Sequence, residues 1–108
     1  MYMSVQFKQF TPFSHYPFIV RDVAFFVPEG MDGARARAVI EGETRGKDVV
    51  SLRMFDSFEK MMPDGTHKTS FAFRLVFQSM KRTLTDSEAN AAMEGVHRIL
   101  RSRGCEVR

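Results

Sequence analysis

The stretch from His67 to Asn90 (HKTSFAFRLVFQSMKRTLTDSEAN) carries two different periodicities end to end. Phe71, Phe73, Leu75 and Phe77 alternate with Ser70, Ala72, Arg74, Val76 and Gln78. Successive side chains of a strand point to opposite sides. The alternation therefore predicts a strand with one apolar face for a core and one small, polar, cationic face left to a partner. After the basic pair Lys81-Arg82, Thr85-Asp86-Ser87-Glu88 has the capping-box pattern. In that pattern the threonine accepts from a helix-start N–H and the glutamate reaches back to the cap residue. Ala89, Ala92, Met93, Val96, Ile99 and Leu100 then recur at helical spacing. The helix should run from about Asp86 to Arg103, with arginines suited to its negative end and Gly104 as its stop.

The rest of the chain completes this strand–helix pair. Ile19 to Val27 is rich in β-branched and aromatic residues and reads as a first strand, ended by Pro28-Glu29-Gly30. Asp32 is placed to cap a weaker helix from Gly33 to about Thr44, whose glycines lower its own propensity. Val49 to Phe58 alternates as a second strand, and Met62-Pro63-Asp64-Gly65-Thr66 is a turn signal leading into strand three, His67 to Gln78. Cys105 to Arg108 offers a short last strand. The order strand, helix, strand, strand, helix, strand predicts an α+β, ferredoxin-like βαββαβ plan. It has a four-stranded antiparallel sheet with both helices on one face. Residues 1–18, punctuated by Pro12 and Pro17 yet rich in rings, are expected to form an extended N-terminal arm ahead of a domain over residues 19–108.

One domain of 108 residues can bury one real core. Its single cysteine, Cys105, permits no intrachain disulfide, which fits a reducing, cytoplasmic setting. No segment has the length and apolarity of a membrane span or the pattern of a secretory signal. The net charge of +3 suits a polyanion partner and equally suits plain solubility.

Catalytic signatures are missing. There is no phosphate-cradling glycine loop and no nucleophile elbow, and His15, His67 and His97 do not stand at metal-ligand spacing from Cys105. Glu41 and Glu43 are two apart on a helix and do not face one way. Asp56 and Glu59 lack a companion base or nucleophile. A recognition surface remains. Asp56 and Phe58 end strand two, Ser70 opens strand three, and Ala24 lies in strand one. An acceptor, a flat ring, a hydroxyl and a small residue can hold an unstacked base, the ring against its face and the polar groups at its edge. Lys60, Lys68, Arg74, Lys81 and Arg82 are candidate phosphate contacts. From spacing alone Phe58 reads more simply as a core ring and Ser70 as a strand-end cap.

Five segments in order carry a family resemblance: Tyr16-Pro17, Arg21-Asp22-Val23-Ala24-Phe25, Phe55-Asp56-Ser57-Phe58, Lys68 to Leu75, and Arg82-Thr83-Leu84-Thr85-Asp86. From about Phe10 to Arg108 the chain resembles the ferredoxin-fold anticodon-binding domain, the C-terminal module of the phenylalanyl-tRNA synthetase β subunit. The resemblance implies binding to the anticodon stem-loop of the phenylalanine tRNA, with base-contacting positions at Ala24, Asp56, Phe58 and Ser70. The stacking position is commonly tyrosine in bacterial relatives and is phenylalanine here. A structural share is expected for Arg21-Asp22, as a pair fixing a loop. The resemblance further implies, as partners, the remainder of the β subunit and the α subunit, with no membrane involved. The parent enzyme uses ATP and Mg²⁺ to esterify phenylalanine to tRNA, but this chain has no room for that catalytic machinery and no cofactor is expected in it. Two other readings compete: a structural or interaction module of the same fold that does not bind RNA, and, last, a small enzyme or ligand-sensing domain.

Overall fold

The computed structural model describes residues 16–108. The expected arm therefore lies, as far as residue 15, outside the described residues. The elements are β1 (Ile19–Val27), α1 (Gly33–Thr44), β2 (Val49–Met61), β3 (His67–Phe77), α2 (Asp86–Ser102) and β4 (Glu106–Val107). The four strands form one antiparallel sheet in the order β2-β3-β1-β4. This is the ferredoxin-like α+β plan read from the sequence.

Local chemistry sets the element ends. Asp32 caps α1, its carboxylate accepting from the Arg35 N–H at 2.8 Å. At α2 both halves of the capping box form: the Thr85 hydroxyl accepts from the Glu88 N–H, and the Glu88 carboxylate accepts from the Thr85 N–H at 2.9 Å. Gly104 adopts φ 88° beyond the last turn. That left-handed conformation lets the Cys105 N–H return to the Leu100 carbonyl at 3.0 Å and turns the chain into β4.

The apolar row of β3 faces the helices. Phe71, Phe73, Leu75 and Phe77 join Val23 and Phe25 of β1 in one core with Ala36 and Ile40 of α1 and Ala89, Met93, Val96 and Leu100 of α2. Phe25 stacks on Phe73 with ring centroids 5.9 Å apart and meets Phe71 edge-on at 6.5 Å. This cluster hides the large rings that a tryptophan-free chain relies on for apolar area.

Two features depart from the simple reading. The second strand runs three residues past Phe58, because Glu59, Lys60 and Met61 continue to pair with Thr69, Lys68 and His67. Its alternation is also broken twice, with register shifts between Val49 and Ser51 and between Met54 and Asp56. Each shift inserts one extra residue opposite β3 and moves every later side chain to the other face.

Candidate nucleic-acid interface

Strand pairing places the predicted base-site residues in two adjoining rows across the sheet face opposite the helices. Ala24, Ala72 and Asp56 stand side by side in one row, and Phe26, Ser70 and Phe58 in the next. Neighbours in a row are roughly 5 Å apart, and successive rows on one face about 7 Å. The bulge at Phe55 makes this possible. Leu52 and Met54 pair with Leu75 and Phe73 of the core row, so uninterrupted alternation would turn Asp56 and Phe58 toward the helices. The extra residue brings them instead into line with Ala72 and Ser70. All four residues expected to contact a base are thus brought together.

Phe58 is no core ring: it is 39% exposed and meets Phe26 edge-on with centroids 6.3 Å apart. The neighbouring Asp56 is exposed, and one carboxylate oxygen accepts from the Ser57 N–H at 2.9 Å, which holds the side chain in place. Ser70 is different. It is 1% exposed, and its Oγ accepts from Nη1 of Arg108 at 2.9 Å. Arg108 and Phe26 are members of the site that sequence reasoning missed. Phe26 was visible in the alternation of β1, but Arg108 follows a two-residue strand too short to show any period.

The polar row of β3 is less open than its composition predicts. Of the row, Ser70, Ala72, Val76 and Gln78 are buried, and Arg74 is half-buried. As an inner strand, β3 is flanked by β2 on one side and β1 on the other, which leaves its small side chains little open surface. Gln78 turns to the backbone, its Nε2 donating to the Tyr16 carbonyl at 2.7 Å.

The five candidate phosphate contacts do not form one cluster. Lys60 and Lys68 are direct cross-strand partners at the hairpin end. Lys81 and Arg82 lie beyond the opposite end of β3, roughly 30 Å away along the strand. Arg74 is between them. Three of the five already hold carboxylates. Lys68 pairs with Glu106 at 2.9 Å, Arg74 binds both oxygens of Asp22 at 2.8 and 2.9 Å, and Arg82 grips the Glu88 carboxylate of the capping box. Hydrogen bonds from Arg74 hold the Asp22 carboxyl below its ordinary range, and those from Arg82 hold Glu88 at about 2. The Arg74 guanidinium also lies 4.6 Å from the centre of the Phe55 ring.

Arg21 and Asp22 do not pair with each other, contrary to the sequence reading. As strand neighbours they point to opposite faces. Arg21 reaches α2, donating to Asn90 at 3.1 Å and Asp86 at 3.2 Å, while Asp22 holds Arg74 on the other face. Each is structural, but they fasten different elements.

The family model of the ferredoxin-fold anticodon binding domain matches residues 14–108. The chain belongs to this family. It is 40% identical over 89 residues to a phenylalanine–tRNA ligase β subunit of Synechococcus sp. (strain JA-3-3Ab), a match covering 82% of the chain and 10% of that protein. With the β subunit of Moorella thermoacetica it shares 34% identity over 102 residues, 94% of the chain and 12% of the relative. With that of Corynebacterium efficiens it shares 36% over 96 residues, 88% of the chain and 11% of the relative. The chain therefore spans about a tenth of the length of the curated relatives it matches. Among the described residues no group of His, Cys, Asp and Glu is gathered to hold a metal ion, and no helix is long and apolar enough to cross a membrane.

Proposed function

We propose that this domain binds the anticodon stem-loop of the phenylalanine tRNA as the C-terminal module of a phenylalanyl-tRNA synthetase β subunit. The observation that carries the reading is the pair of rows Ala24–Ala72–Asp56 and Phe26–Ser70–Phe58 on the face away from the helices. In this reading an unstacked base lies on the Phe58 ring. Asp56 accepts from N–H groups at its edge, Ala24 leaves room for it, and Ser70 supplies a hydroxyl beneath the site. The loss of a phenol hydroxyl relative to a tyrosine leaves stacking intact.

The cations divide the work of holding the backbone. Lys60 and Lys68 serve phosphates nearest the base site, Arg74 the middle of the sheet, and Lys81 and Arg82 a more distant stretch of the stem. Affinity and tRNA identity are this module's contribution. Esterification with ATP and Mg²⁺ belongs to the rest of the enzyme, the other parts of the β subunit and the α subunit.

Phe58→Ala is the direct test. It should weaken binding to the phenylalanine stem-loop by roughly 1–3 kcal/mol, the usual worth of one base–aromatic stack. Titration of labelled stem-loop with the variant measures this, and affinity equal to that of the unaltered chain would remove Phe58 from the site.

A further inference from the structure

Beside the Phe58 ring the hydrogen-bond donor open to solvent is Arg108, not Ser70. Ser70 is 1% exposed, whereas Arg108 is exposed. The arginine is fastened from three directions. Its backbone N–H donates to the Ala24 carbonyl at 2.8 Å and its Nη1 donates to Ser70 Oγ at 2.9 Å. Its guanidinium carbon lies 5.0 Å from the Phe58 ring centre and 5.6 Å from that of Phe26. Rings and a hydroxyl hold this charge, not an acid. Lys68, which shares the Phe26 ring with it, is bound to Glu106, and Arg74 farther along the sheet is bound to Asp22, but among the described residues no acidic side chain forms an ion pair with Arg108. A guanidinium has five N–H donors in a planar fork, and the hydroxyl of Ser70 uses one. Planar donors kept beside an aromatic surface, without a neutralising acid, suit the paired acceptor atoms of a nucleotide.

We propose that Arg108 is the residue that donates to the nucleotide seated at Phe58, and that Ser70 is a positioning residue acting through it. This rests on the anticodon reading above and changes the role of one of its residues. Ser70, Phe26 and Phe58 fix the direction of the fork before RNA arrives, which reduces the ordering cost of binding.

The experiment is a set of equilibrium titrations of the phenylalanine stem-loop and a base-swapped control, using the unaltered 108-residue chain and the variants R108A, R108K, S70A and S70A/R108A. Thermal unfolding of each variant confirms that it is folded. R108A is expected to weaken phenylalanine stem-loop binding roughly tenfold, as for loss of a two-pronged contact. R108K, which keeps the charge but not the fork, should recover only a small part. S70A should cost less than R108A, and the double variant should bind no worse than R108A alone. A loss confined to the phenylalanine stem-loop assigns the acceptors to the base edge, and an equal loss on both stem-loops assigns them to phosphate. Two results overturn the inference. One is R108A binding as tightly as the unaltered chain or more so, which makes Arg108 a mere cover over Ser70. The other is S70A costing as much in the R108A background as alone, which makes Ser70 a direct contact. If the unaltered chain binds neither stem-loop, the anticodon reading itself fails, and that result is seen before any variant is compared.

Discussion

At the scale of single residues, neighbours in sequence serve different masters. Asp22 holds Arg74 through both oxygens, and Arg74 lies directly opposite Arg53 across β2 and β3. Like charges facing each other on a sheet repel, and Asp22 offsets that repulsion from the other side. Asp22→Asn should therefore destabilise the fold by about 1 kcal/mol, at the upper end for a half-exposed pair. Urea unfolding measures it, and an unchanged midpoint would show that solvent already screens the two arginines. The identity of Asp22 as a sheet brace was not legible in the sequence, because its partner is fifty-two positions away. Asp56 and Phe58 were legible as candidates through the family resemblance, while their spacing alone favoured a core ring.

At the scale of elements, two short-range devices decide where side chains end up. The alternation of β3 and the capping box of α2 were readable because each is written in consecutive residues that all obey one geometric rule. The bulge at Phe55 was not, since no glycine or proline marks it and its neighbours Met54 and Asp56 read as ordinary alternation. Yet it brings Asp56 and Phe58 into the proposed base site. Deleting Phe55 should invert Asp56 and Phe58 or slip β2 by one against β3, and either change takes both residues out of line with Ser70. The expected outcome is loss of stem-loop recognition with the far-ultraviolet circular dichroism of a folded α+β domain. Recognition at full strength would mean that the bulge is incidental. The capping box supplies a pH signature. Glu88 is held at about 2 against an ordinary value of 4.5, chiefly by hydrogen bonds from Arg82. A carboxyl with a depressed folded value contributes stability that is complete above 4.5 and is lost as pH falls from there toward 2. Urea midpoints taken across that window should decline more steeply in the unaltered chain than in Glu88→Gln, and parallel slopes would contradict the assignment.

At the scale of the whole molecule, the fold sorts chemistry by face. Aromatic rings and the apolar stripes of both helices share one side of the sheet, and the mixed polar and aromatic rows share the other. The βαββαβ order was legible because every element carries either a clear period or a clear stop signal, even where, as in α1, propensity is low. The crowding over Ser70 and the splitting of the cations into distant groups were not legible, because both depend on how far apart the sheet holds residues that a list of basic positions makes look equivalent. The distribution of charge nevertheless suits a long polyanion better than a compact anion, with cations at the hairpin end, at the sheet centre and before α2. The most direct test of the account is equilibrium binding of this chain to the phenylalanine anticodon stem-loop and to a base-swapped control across a salt series. The account predicts tighter binding to the phenylalanine stem-loop, with a preference that survives added salt while both affinities fall. Equal affinity for the two at every salt concentration would contradict it, leaving a basic surface that does not read the anticodon.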